Sequence, residues 1–538
     1  MASTTQSGTR GFCGISVISP VRTPPGHPVF PPVGRSTSPG FPPVGGSGRT
    51  GVPVGEASGG TVARCHDPVP ARTTSLRFTR RSVPGDDELL RRVRVPPPLI
   101  SRRLPSGRGA TEQPNVTGDG DTPYSARFWL ALVLTGVATG LFGDLMMFIL
   151  FSFQHLAFGT GPGDFQTRVT AASGLRRVVS LLVAGAFGGP AWYLLRRWTA
   201  GERSDVDEIV WTGRGRLSFR RTLLSGAISE VVIGMGASIG REAAPKAMGG
   251  VSGEMASGLF RMSPAHRRLL VACGAGAGLA CVYNVPLGGA LFASEVMLGT
   301  IALPVVLPAL ACSAVATAVS WLYLPHHPAY VNIPDFRFSA TVLGFSLVAG
   351  PVIGALASLY IRLIGWVSHH RLEGRATIVA PTVAFGLLGV AGLALPGLFG
   401  NGKDMADRAF LGIGSAGVLL GLWALKPLVT ALCLGSGAQG GLFTPFMSTG
   451  AVFGALAGLG WTWMWPGSPV GAFALVGSAA MLGAALQAPL AGLVLVVELT
   501  SSGLSLMVPV VIATFLATAV ARHVDGYSIY SARLPRHP

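Results

Sequence analysis

From Phe128 almost to its end the chain is a succession of apolar stretches, at roughly 128–158, 178–199, 219–239, 267–283, 301–324, 339–367, 376–398, 412–434, 446–466, 470–485 and 504–522. Hydrocarbon offers no partner to a backbone N–H or C=O, so segments that cross it must satisfy those groups internally. Continuous apolar runs of about 20 residues do so as helices. Only 12% of the 538 residues are charged, against about 25% in soluble domains. Glycine, at 75 residues, suits close helix packing and interrupted helices. Three shorter apolar pieces, near 245–260, 285–299 and 487–500, are too short to span alone. Short segments broken by Gly or Pro at matching places point to a transporter-type binding site. The fold class expected is an all-α polytopic membrane protein of short, tilted and broken helices.

Residues 1–124 are different. They are rich in Pro, Gly, Ser, Thr and Arg, lack a sustained apolar period, and read as a disordered arm without a signal-peptide core. The net charge of +17 lies mostly in this arm and in loops, which argues against a nucleic-acid face. Three basic connections stand out: Arg196, Arg197, Arg214, Arg216, Arg220 and Arg221; then Arg261, Arg267 and Arg268; then His369, His370, Arg371 and Arg375. Positive loops are normally cytoplasmic, so the three should share one side, with both termini inside and the plasma membrane as the location. Cys13, Cys65, Cys273, Cys281, Cys312 and Cys433 show no paired spacing, so no disulfide framework, metal site or cofactor is implied.

Within the apolar body, Gly234-Met235-Gly236-Ala237-Ser238-Ile239-Gly240-Arg241-Glu242-Ala243-Ala244-Pro245 puts an ionisable pair after a glycine-rich break. Charge at membrane depth is costly and usually functional. A helix starting after the break would present free N–H groups and a positive dipole end, which suit an anion. A carboxylate parked there acts as a gate, because it occupies the place of the ion. Glu242 could merely pair with Arg241, but adjacent residues on a helix do not face each other.

The chain also repeats itself. Gly234–Gly240 resembles Gly435-Ser436-Gly437-Ala438-Gln439-Gly440-Gly441 at an offset of 201 residues. Pro286-Leu287-Gly288-Gly289 with Glu295 resembles Pro489-Leu490-Ala491-Gly492 with Glu498 at an offset of 203. Two related halves, each with a broken helix at the midplane, form the architecture of many ion transporters.

These residues resemble the CLC family of chloride channels and chloride/proton exchangers. Gly240-Arg241-Glu242 fits its gating motif, and Gly435 to Pro445, ending Gly441-Leu442-Phe443-Thr444-Pro445, fits its Gly-x-Phe-x-Pro motif. Asn284–Phe292, Ala488–Gly492 and Tyr530-Ser531-Ala532 match further segments in the family's order. The resemblance covers about 125–535. It implies a homodimer of about eighteen helices per subunit, in two inverted-topology halves, with a chloride path in each subunit. It makes Glu242 the gate, and it gives anion-binding roles to Arg241, Ala243, Leu442, Phe443 and Tyr530.

Phe443 could instead be ordinary packing and Tyr530 an interfacial aromatic, while Glu295 and Glu498 read as structural. The first anion motif is degenerate: around Gly201-Glu202-Arg203-Ser204-Asp205 the family's Gly-Ser-Gly-Ile-Pro is missing, and only Ser204 could stand for its serine. Ala243-Ala244-Pro245 also replaces the usual Gly-Pro. Anchored on Pro286 and Leu291-Phe292, the proton-transferring glutamate of family exchangers falls on Val296, one residue after Glu295. Valine carries no proton, so the expectation is passive or proton-uncoupled chloride flux, with a chloride/proton antiporter as the alternative. An intramembrane hydrolase using Ser436 is a distant alternative, since His155 and His523 sit near helix ends and a nucleophile needs a base within reach. No enzyme activity is expected. A scaffold without transport would not explain why Glu242 and Gly-Leu-Phe-Thr-Pro remain.

Overall fold

The computed structural model describes residues 125–202 and 205–534; the N-terminal arm and Ser204 lie outside the described residues. Those residues form 17 α-helices. The first half holds α1 (Ala126–Phe158), α2 (Phe165–Ala171), α3 (Gly174–Trp198), α4 (Val206–Thr212), α5 (Phe219–Gly234), α6 (Ala243–Leu259), α7 (Pro264–Tyr283), α8 (Pro286–Leu291, running into a π-helical turn Phe292–Met297) and α9 (Leu303–Ser320). The second holds α10 (Ala340–His369), α11 (Ala376–Ala394), α12 (Lys403–Phe410), α13 (Ala416–Gly435), α14 (Phe443–Met464), α15 (Val470–Leu486), α16 (Pro489–Thr500) and α17 (Met507–Val524).

Among the described residues eight segments are long and apolar enough to cross a bilayer: α1, α3, α9, α10, α11, α13, α14 and the stretch carrying α17. The protein is a multi-pass membrane protein. Every apolar stretch of the sequence carries a helix. The stretch 219–239 stops early, at Gly234, because Gly236 turns the chain at φ +114°. Helices α2, α4 and α12 are not foreshadowed by any apolar run. In α4 the Asp205 side chain accepts from the N–H groups of Asp207 and Glu208, so a polar cap defines it. Along α15 every residue but Val470 is buried, which fits a helix apolar all round. Outer faces of α1, α3, α10 and α11 leave Leu130, Phe148, Leu175, Val183, Leu359 and Val379 exposed, a surface suited to lipid.

The two halves repeat each other in detail. A Cβ on Gly249 would stand 1.9 Å from the Gly274 carbonyl oxygen, and one on Gly274 2.0 Å from that of Gly249. Backbones of α6 and α7 therefore touch, and only glycine fits. Gly450 and Gly477, at the sequence repeat's own offsets, make the same contact between α14 and α15, at 2.6 and 2.4 Å. Left-handed caps recur too, at Asn284 after α7 and Gln487 after α15, both at φ +57°.

Reciprocal capping ties the repeat together. Glu295 accepts from the N–H groups of Leu490 (3.4 Å) and Ala491 (2.6 Å) at the start of α16. Glu498 accepts from Leu287 (3.0 Å) and Gly288 (2.7 Å) at the start of α8. Contacts in which each member holds the other's neighbour are the signature of a two-fold relation. Two of the basic connections also meet: Arg267 bonds Glu254 at 2.8 Å and the Gly215 carbonyl.

Glu498→Ala should leave two N–H groups without their carboxylate, costing about 1.5–3 kcal/mol. Glu295→Ala should cost a similar amount, and the glutamine variants less. Thermal unfolding in detergent reads this, and an unchanged midpoint in both alanine variants would contradict the capping role.

Candidate functional site

The glycine-rich breaks are built alike. Helix α5 ends at Gly234 and α13 at Gly435, and each chain then turns at a glycine with positive φ, Gly236 (+114°) and Gly437 (+97°). The two loops pair antiparallel: Gly240 N–H donates to Gly441 O at 2.8 Å, and Gly441 N–H to Gly240 O at 2.7 Å. Ser225 and Ser229 of α5 bond the side chain and carbonyl of Gln439, fixing the second loop on the first half. This pairing draws the starts of α6 and α14 together.

Glu242, at the head of α6 and 3% exposed, fills the space between them. Its Oε1 accepts from Phe443 N–H at 2.7 Å, and its Oε2 accepts from the hydroxyls of Tyr283 and Thr444 at 3.3 Å each. Those hydroxyls lie 2.6 Å apart, close enough for one to donate to the other in place of the carboxylate. The carboxylate thus sits where an anion would, at a helix start that offers an N–H and a positive dipole end. Glycine is needed around it, because a Cβ on Gly240 or Gly441 would come within 2.1 or 2.0 Å of Oε1.

Arg241 lies 4.9 Å over the Tyr283 ring. It lines a cavity of about 220 Å³ with Tyr283, Asp164, Arg168, Lys403 and Asp404, so this cavity reaches the residues that hold Glu242. Lys426, fully buried, donates to the carbonyls of Leu398 (3.1 Å) and Gly400 (2.7 Å), and Gly400 N–H bonds Gly236 O at 2.9 Å. The lysine therefore braces the turn from behind. On the other side, Tyr530 packs edge-on to Phe292 at 5.8 Å, and the charges of Asp207 and Glu242 both act on it.

Of the expected site residues, Glu242, Arg241, Ala243, Leu442 and Phe443 are brought together by the paired loops, and Tyr530 stands close by. Val296 is buried in the π-helical turn that begins at Phe292. Sequence reasoning missed Tyr283 and Thr444, aromatic and hydroxyl residues with no periodic signal. It also missed Lys246 and Glu230, both buried charges within apolar segments. The cost of charge at membrane depth would have found these two.

Residues 186–522 match the family model described as voltage gated chloride channel. The chain belongs to the CLC family. It is 32% identical over 314 residues to the H(+)/Cl(−) exchange transporter ClcA of Yersinia pestis, a match covering 56% of this chain and 66% of that relative. The ClcA of Vibrio cholerae serotype O1 is equally similar, with 67% of it covered. The match thus spans about two thirds of these relatives' length. Among solved CLC structures, a slow cyanobacterial Cl⁻/H⁺ antiporter superposes with TM-score 0.66 at 23% identity, covering 76% of this chain and 96% of that one. A CLC-type fluoride/proton antiporter gives 0.60 at 20% identity, covering 76% and 97%. At these identities the likeness speaks for the fold.

Gly441→Ala should push the flexible Glu242 carboxylate out of its cradle while sparing the backbone. Were Glu242 the gate, anion flux in this variant should lose its pH dependence, as in Glu242→Ala. Vesicle flux measured from mildly acidic to neutral pH checks it, and a wild-type pH profile would show that the carboxylate does not use this cradle.

Proposed function

We propose that this chain exchanges chloride, or a similar small anion, for protons across the membrane, with Glu242 as the gate. The observation that carries this is the 2.7 Å bond from Phe443 N–H to the buried Glu242 carboxylate, which stands in for an anion. Ionised Glu242 blocks the path; protonation removes its charge and frees the N–H donors. Backbone N–H groups near Ala243, Leu442 and Phe443 then replace part of the ion's hydration shell, with Tyr530 donating beside them. Dipoles and neutral donors hold a monovalent ion without trapping it.

Exchange departs from the passive flux expected from Val296. The relatives at 32% identity are named exchange transporters, and that supports the antiporter alternative better. Passive conduction stays as the second reading because of one observation, the valine at the proton-transfer position. We further propose a homodimer in the plasma membrane with both termini cytoplasmic. Ser436 offers little to a hydrolase reading, since its hydroxyl donates to the Cys433 carbonyl of the preceding helix at 2.7 Å.

The test uses purified protein in vesicles with an outward chloride gradient and no net proton gradient. Proton uptake at a fixed ratio to chloride, continuing against the proton gradient that it builds, is the expected result. Robust chloride flux without it would favour passive conduction, and absence of chloride, bromide and nitrate flux alike would sink both readings. Glu242→Gln should abolish proton coupling and leave anion flux independent of pH.

A further inference from the structure

Lys246 and Asp207 form a buried ion pair that the gate itself does not use. The ammonium lies 2.7 Å from Asp207 Oδ2 and 4.1 Å over the Tyr530 ring. Lys246 is 9% exposed and Asp207 8%. The lysine is one helical turn after Glu242, and its N–H donates to the Glu242 carbonyl at 3.1 Å. Positions four apart share a helix face, so the ammonium and the gate carboxylate line one side of α6.

Stability is a poor reason for such a pair. Replacing a buried ion pair by apolar residues of similar volume is often neutral or stabilising, and a lysine inside a membrane domain is expensive. The ammonium also keeps donors in reserve: among the described residues its one hydrogen bond goes to Asp207, so N–H groups are left for an anion. One Asp207 oxygen takes the ammonium, while the other, Oδ1, is buried with no hydrogen-bond partner among the described residues. Its other charged neighbours are Asp205 and Arg533. Tyr530, whose ring carries the ammonium, is the group on which the charges of both Asp207 and Glu242 act. Lysine and tyrosine are therefore in direct contact, one turn of α6 along from the gate residue.

We propose that Lys246 is a specificity-determining residue of the anion path, an ammonium that holds a small monovalent anion beside Tyr530, one turn along α6 from the gate. Asp207 offsets its charge so that the ion is held and released rather than trapped. The inference rests on the anion-transport reading above. The ligand is compact and singly charged, because the ammonium is a point charge that Asp207 already partly neutralises.

The two charges then act in opposite directions on the ion. Lys246→Met should leave Asp207 to repel the anion, raising the chloride Kd about tenfold or more. Asp207→Asn should leave the ammonium unopposed, lowering the Kd and slowing flux. Lys246→Arg should keep binding near wild type but alter the order of chloride, bromide and nitrate, since a planar guanidinium presents its donors differently. Calorimetric titration of chloride into the purified full chain, with vesicle flux of the three anions, reads all of this. A merely structural pair would lower stability in both single variants and leave the chloride Kd and anion order unchanged, and that result would overturn the proposal. Should Lys246→Met fail to fold, Asp207→Asn decides alone: an unchanged chloride Kd overturns the idea. Wild-type protein that neither binds nor moves any of the anions would instead sink the anion-transport reading.

Discussion

Two hydrogen bonds between Gly240 and Gly441 are the constraint on which the rest of the site depends. They join two buried loops that interrupt apolar helices, where a backbone group has no water to turn to. An unsatisfied peptide group in such a place costs several kcal/mol. Each loop therefore needs the other, and neither half can form its broken helix alone. The same pairing sets α6 and α14 head to head, leaving a space between their starts that Glu242 fills. Glycine at both positions is a consequence of that carboxylate as much as of the turn.

Around this pair, the two halves are held by contacts that occur twice. Glycine-to-carbonyl crossings join α6 to α7 and α14 to α15, and Glu295 and Glu498 exchange caps across the repeat. In lipid there is no hydrophobic force to drive helices together, so close backbone approach and satisfied polar groups must do it. Such contacts tolerate little change in side-chain volume. The offsets of 201 and 203 residues are the trace of that geometry in the sequence.

Much of this is legible in the amino-acid sequence. Long apolar runs mark their helices because lipid demands an uninterrupted apolar surface, and the breaks at Gly234–Gly240 and Gly435–Gly441 announce themselves by composition. The carboxylate at Glu242 stands out as a charge where charge is costly. What stays hidden follows from tertiary pairing. Asp207 lies in a short, polar-capped helix with no periodicity to mark it, and Lys246 gains meaning only from Asp207 and Tyr530. Tyr283 and Thr444 look like ordinary interior residues until Glu242 is placed between them. The π-helical turn at Phe292–Met297 has no sequence signal that composition or period would pick up.

Charge balance bears on the choice between exchange and passive conduction more directly than Val296 does. From α4 to α6 the protein buries two cations, Arg241 and Lys246, against three carboxylic acids, Asp207, Glu230 and Glu242. Glu230 has no hydrogen-bond partner on either oxygen among the described residues, and the charges of Arg241 and Glu242 act on it. With all three acids ionised the segment is net negative and opposes an incoming anion. One proton brings it to balance, so binding of an anion and binding of a proton favour each other at this segment through simple electrostatics. That linkage does not depend on which residue passes the proton inward. In the proposed exchange, a valine at position 296 would take away one proton carrier and leave this electrostatic linkage of buried acids in place.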